Sequence, residues 1–60
     1  MPNQVLGIVL VGFVAFWRGQ VVRSVGGEIH YFPTEQDAWL FLGLCDAVEG
    51  MPAIAAVASA

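Results

Sequence analysis

Residues 5–17 read VLGIVLVGFVAFW, a run of thirteen residues without a charged or polar side chain that ends at Arg18. No comparable run follows it in the sixty-residue chain. Nine of its residues are strongly apolar, and at ~0.3 to 0.6 kcal/mol each they favour membrane insertion by roughly 3 to 5 kcal/mol. The sequence therefore predicts an N-terminal apolar helix, embedded in a membrane, within a segment that covers residues 1–18.

The flanks of the run indicate how such a helix would be oriented. Trp17 would lie at interface depth and Arg18 would extend its charge outward. Arg18 and Arg23 follow the run and no basic side chain precedes it. Positive charge collects on the cytoplasmic side of membrane helices. We therefore expect a bacterial inner-membrane location with the C-terminal part in the cytoplasm.

The length of the run leaves a second interpretation open. A helix of thirteen residues rises only ~20 Å, which is short of the ~30 Å of hydrocarbon in a bilayer. The run is also rich in β-branched residues, and a bend at Gly7 or Gly12 could divide it into two strands. A further turn at residues 17–20 would make residues 13–17 one strand of a small meander. In this soluble alternative the run is buried in a protein core.

Composition shows that the chain lacks internal means of stabilisation. It is 58% hydrophobic and 12% charged, with a mean hydropathy of +0.76. A chain of this length buries only ~60% of the surface that it exposes when unfolded. One cysteine, Cys45, and one histidine, His30, provide neither a disulfide nor a metal site. We expect a lipid bilayer, a larger membrane protein complex or self-association to supply the missing burial.

Residues 19–50 are predicted to form a ββα unit. Two short segments, 20–25 and 28–32, are rich in β-forming residues and flank Gly26-Gly27, which suits a two-residue hairpin loop. That loop would pair Val25 with Glu28 and would place four side chains on one face of the hairpin: Val22, Ser24, Ile29 and Tyr31.

An amphipathic helix is predicted from about residue 35 to residue 49, with Thr34 as its N-cap. At 100° per residue one stripe would cover the hairpin: Leu40, Phe41, Leu44, Cys45 and Val48. The opposite stripe holds Glu35, Trp39, Leu42, Asp46 and Glu49. Exposed large apolar groups among carboxylates are typical of contact surfaces. We therefore predict a partner-binding surface made by five residues: Trp17, Trp39, Leu42, Asp46 and Glu49.

The chain offers little catalytic chemistry. His30 has no evident nucleophile beside it, and Cys45 lies on the apolar stripe of the helix, where a thiol is unreactive. The spacing of these two residues fits no known metal site. We therefore expect no enzyme, no metal and no cofactor. The chain has five acidic residues and only two arginines, so we expect no nucleic acid partner.

In size and outline the chain resembles the small antenna and accessory polypeptides of bacterial photosynthetic and respiratory membrane complexes. Antenna polypeptides carry a pigment-ligating histidine inside the apolar helix, whereas His30 lies beyond it. The resemblance therefore covers only size and outline. From the apolar run and the predicted partner surface we expect a non-catalytic accessory subunit of a larger membrane complex. The alternative is a soluble small oligomerising interaction module. The Ala-rich tail, residues 51–60, carries no signal for either function.

Overall fold

The computed structural model describes residues 2–52 and 54, which form a three-stranded antiparallel sheet followed by one helix. The strands are β1 (Gln4–Ile8), β2 (Gly12–Trp17) and β3 (Gln20–Val21), and the helix is α1 (Glu35–Val48). The strands lie in the order β1-β2-β3. The fold thus contains a sheet and one helix, but the predicted N-terminal helix is wrong.

The apolar run forms a β-hairpin instead. β1 and β2 pair in antiparallel register, with Val5 opposite Ala15 and Leu6 opposite Val14. Residues 9–11 turn the chain, with Leu10 at a φ of 65°. Gly12 follows at a φ of 137°, and a Cβ there would lie 2.7 Å from the Phe32 carbonyl oxygen. Pairing satisfies the backbone polar groups that each strand directs toward the other, and the extended conformation suits β-branched residues.

The membrane prediction loses its basis with this hairpin. Within residues 2–52 and 54, none of the helical structure is long and hydrophobic enough to cross a lipid bilayer. The prediction of a transmembrane helix is therefore wrong, and the orientation derived from it has no support. The alternative with a divided run and a turn near residues 17–20 is the better description, since Arg18 and Gly19 connect β2 to β3 with φ values of 51° and 84°.

The chain turns back again after Ser24, in a register one residue away from the prediction. Arg23 bridges Ile29, and the Ser24 N–H donates to the Glu28 carbonyl at 2.7 Å. Residues 25–27 form the loop, with Gly27 at a φ of 87°, as in hairpins closed by a type I turn and a bulge. A shift of one residue reverses the faces of a strand. Val22 therefore enters the core while Ile29 stays half-exposed.

The helix begins and ends close to the predicted positions but presents a different face. The Thr34 hydroxyl accepts from the Asp37 N–H at 3.1 Å, and Glu49 ends the helix in the left-handed conformation. The helix side chains buried against the sheet are Ala38, Leu42 and Cys45, with Phe41 partly buried. The predicted inward stripe is thus wrong at three positions, which are exposed: Leu40, Leu44 and Val48.

The described residues form a core between the helix and one face of the sheet. The sheet contributes Ala15, Trp17 and Val22, and the segment before the helix contributes Phe32. Phe32 is held there by paired backbone hydrogen bonds with Phe13, of 2.8 and 2.9 Å. Of the tail, residues 53 and 55–60 lie outside the described part. Ile54 pairs with Ser24 at the end of the sheet.

Candidate functional site

The outer face of the sheet, opposite the helix, carries an open apolar groove of about 310 Å³. Strand pairing assembles it, because Leu6 lies opposite Val14 and Phe16 lies opposite Val21. Paired residues share one face of an antiparallel sheet. No charged side chain lines this outer groove, whose residues are Leu6, Ile8, Val14, Phe16, Val21, Ile29 and Tyr31.

The turn of the first hairpin extends this apolar surface. Val9 and Leu10 are almost completely exposed and Val11 is half-exposed. Most hairpin turns carry polar residues or glycine, since these residues tolerate positive φ and solvent. Leu10 is neither polar nor a glycine, yet it has a φ of 65° and is fully exposed to solvent. The first hairpin is therefore apolar from its outer face to its tip.

The five residues predicted to bind a partner do not form one surface. Trp17 and Leu42 are buried in the core, at 8% and 1% exposure. Trp39 is 45% exposed on the outer side of the helix, and Glu49 is the helix C-cap. The structure thus separates two core residues from the exposed ones. Whether Trp39, Asp46 and Glu49 bind a partner stays a prediction.

Asp46 has an intramolecular role. Its carboxylate accepts from the Trp17 indole N–H at 2.8 Å and from the Asn3 side-chain amide at 3.1 Å. Asn3 also accepts from the Arg18 backbone N–H at 3.1 Å, and the Arg18 guanidinium lies 4.5 Å from the centre of the Trp17 ring. This Asp46 network joins the helix to β2, to the turn after β2 and to the residues before β1.

The groups with catalytic potential are dispersed. The ring of His30 packs edge-on against Phe32 at 4.6 Å. Cys45 is fully buried, and desolvation by this burial, followed by the charge of Asp46, raises the pKa of its thiol. Within the described ranges, 2–52 and 54, no three His, Cys, Asp or Glu side chains are grouped to hold a metal ion. The arrangement of His30 and Cys45 is that of packed side chains.

Comparison of the chain with protein-family models, with curated proteins and with solved structures gives no match. The geometry of the chain itself must therefore carry any functional argument. The outer groove is the feature that the sequence analysis missed. Its signal was present, because Leu6, Ile8, Val14 and Phe16 alternate along two neighbouring strands, but every intervening position is apolar or glycine as well.

Proposed function

We propose that this chain is a non-catalytic interaction module that self-associates through the exposed side of its first hairpin. The outer groove is the observation that carries the proposal. A sheet with an apolar face needs a second layer. In this molecule α1 covers the inner face, and nothing in the described ranges covers the side that Leu6 and Ile8 expose.

The small core supports the same proposal. In the part of the chain that the structure describes, seven buried residues form the main cluster. A chain of this size is only marginally stable when isolated. Among residues 2–52 and 54, thirteen large hydrophobic residues are exposed, Leu6 and Leu10 among them. Burial between copies would remove part of this surface from water and would add roughly 25 cal/mol for each Å² of apolar area. Association thus supplies what the fold lacks.

The packing of His30 and Cys45 among the described residues is consistent with an interaction role. His30 packs on an aromatic ring and Cys45 is enclosed in the core. Catalysis by either group would require a positioned partner and access to substrate. The exposed surfaces offer hydrophobic area and backbone hydrogen-bonding groups, which are the materials of protein–protein contacts.

A pair of matched substitutions tests the proposal. Leu6 is 50% exposed on the hairpin side and Leu44 is 48% exposed on the helix side. Sedimentation equilibrium of the wild-type chain should show reversible self-association. Leu6→Lys should weaken it by about tenfold or more, since a charge at an apolar contact costs at least about 1.4 kcal/mol. Leu44→Lys should have little effect.

The opposite outcomes are equally informative. A wild-type chain that stays monomeric at high concentration refutes the proposal. A selective loss of association in Leu44→Lys would move the contact to the outer side of the helix, where Trp39 is exposed. Circular dichroism of both variants checks that neither substitution unfolds the chain.

A further inference from the structure

The hydrogen-bonding pattern of β2 determines which groups of β1 are free. The Phe13 N–H and carbonyl both bond to Phe32, and the Ala15 carbonyl accepts from the Val22 N–H. In an antiparallel sheet the N–H and carbonyl of one residue point to the same side, and successive residues point to alternate sides. The backbone N–H and carbonyl groups of Phe13 and Ala15 are therefore directed away from β1. The residues next to them in β2 form the backbone hydrogen bonds with β1.

The same alternation applies along β1. The β2 residues whose backbone N–H and carbonyl groups face β1 are Gly12, Val14 and Phe16. Their register partners in β1 are Ile8, Leu6 and Gln4. Val5 and Gly7 are the intervening residues of β1. Their N–H and carbonyl groups are therefore directed away from β2, at the edge of the sheet. β1 is an edge strand, with β2 as its only neighbour among the described residues.

This β1 edge lacks the usual protection. Edge strands commonly carry charged residues, a proline or a bulge that prevents pairing with another chain. β1 reads QVLGI, without a charge or a proline, and its register with β2 is regular throughout. The opposite end of the sheet differs, because the Val25 N–H donates to the Ile54 carbonyl there at 2.9 Å. Among the described residues, the β1 edge is thus the one open to a further strand.

We propose that β1 pairs antiparallel with β1 of a second copy, about a two-fold axis at Leu6. This inference rests on the self-association proposed above and specifies its geometry. In this register the free groups of Val5 meet those of Gly7 in the other copy, and the reverse pair forms by symmetry. The two Leu6 residues lie directly opposite one another without hydrogen bonds between them. One sheet then continues through both copies.

Three features favour a second copy as the occupant. The positions of Val5 and Gly7 on either side of Leu6 make the edge complementary to itself, as a two-fold contact requires. β1 has no charge that would repel its own copy, although the whole chain has a formal net charge of −3. Pairing also joins the outer grooves of the two copies, because Leu6 and Ile8 line the groove.

A dimer of standard size would use a substantial share of the surface of so small a chain. A standard interface removes about 800 Å² from each partner, which would be about a fifth of the 4221 Å² that this chain exposes. The β1 edge contributes backbone hydrogen bonds, while the half-exposed Leu6 and the highly exposed Val9 contribute apolar area. In the proposed register Ile8 lies opposite Gln4 of the other copy, so the hairpin tip begins directly beyond the paired residues.

Site-specific disulfide formation tests the axis. Directly opposite residues without hydrogen bonds have Cα atoms about 4.5 Å apart, which a disulfide can span. Leu6→Cys should therefore form a covalent dimer under mild oxidation. Ile8→Cys is the matched control on the same face, since the two Ile8 positions would be displaced along the strands by about 13 Å. We expect at least about tenfold more cross-linked dimer from Leu6→Cys. The native Cys45 is buried, so the wild-type chain gives the background.

Amide hydrogen exchange in the wild-type chain provides an independent readout. In a monomer the Val5 and Gly7 amides point into solvent and exchange quickly, while Leu6 is protected by β2. In the edge-paired dimer Val5 and Gly7 should become protected at high concentration, with exchange slowed at least about tenfold. Fast exchange at both residues, together with equal cross-linking of the two cysteine variants, would refute edge pairing while leaving self-association intact. A chain that sediments only as a monomer would overturn both proposals.

Discussion

Replacing Asp46 by alanine should destabilise the chain, because Asp46 is the hydrogen-bond acceptor for a buried indole. Trp17 is only 8% exposed, and its N–H donates to the Asp46 carboxylate at 2.8 Å. Asp46→Ala would leave this part-buried donor without its acceptor, at a cost of about 1 to 3 kcal/mol. The Asn3 contact to the same carboxylate would be lost as well, but it is exposed and contributes less.

An opposing effect must be subtracted. Asp46 lies in the last turn of α1, where a negative charge is unfavourable by about 0.3 to 1 kcal/mol. Its removal relieves that repulsion. The hydrogen bond is the larger effect, so we expect a net loss of roughly 1 to 2 kcal/mol, or a decrease in Tm of about 4 to 16 °C for a domain of this size.

Thermal unfolding followed by far-UV circular dichroism, with Trp fluorescence as a second probe, measures this loss. Asp46→Asn is the matched control, because its side-chain oxygen can still accept from the Trp17 indole while the charge is removed. It should retain most of the stability. An Asp46→Ala variant as stable as the wild-type chain, or more stable, would show that the helix-terminus repulsion dominates and that the Asp46 network does not hold the fold together.

Two further predictions concern backbone conformation and the buried thiol. Gly12→Ala should destabilise the chain by several kcal/mol or prevent folding, because the new Cβ would lie 2.7 Å from the Phe32 carbonyl oxygen and the residue has a φ of 137°. Gly26→Ala is the control. A Cβ there meets nothing within 4 Å, so the denaturation midpoint should change little. Cys45 should react slowly with iodoacetamide at pH 8 until the chain unfolds. Because the pKa of Cys45 is raised in the folded chain, the wild-type fold should lose stability as pH rises from the ordinary value of 9.0 to the folded pKa. A Cys45→Ala variant lacks this group, so its denaturation midpoint should fall less than that of the wild-type chain over the same pH range.

The outcome for the apolar run shows where sequence reasoning is weak. Strands covered on one side alternate between apolar and polar residues, and this alternation distinguishes them from helices. Residues 5–17 have no polar position at all, so their periodicity supports neither structure. The length of the run, too short for a membrane span, and its β-branched content were the better guides. They supported the meander alternative, which the structure favours.

Two other features were not predictable for a related reason. They are the side-chain orientation in the residues that follow the second turn and the buried face of α1. Gly26-Gly27 fits a two-residue loop as well as the observed loop 25–27, and a difference of one residue reverses every later side chain. In α1, apolar residues occur all round the helix, so more than one stripe satisfies the helical period. The buried face of α1 is the one on which the small Ala38 is fully enclosed and from which Asp46 accepts the hydrogen bond of the Trp17 indole. Neither is visible from spacing alone.

The apolar character of the run acquires a physical explanation from the hairpin. A strand that served only the core would need apolar residues at alternate positions, such as Val5 and Ala15 on the side of α1. Leu6 and Ile8 occupy the intervening positions and gain little from the fold, since each remains at least two-fifths exposed. Polar residues there would cost the isolated chain almost nothing. Apolar residues at positions that the core does not use are explained if a second surface buries them, and the unprotected β1 edge places a second copy beside them.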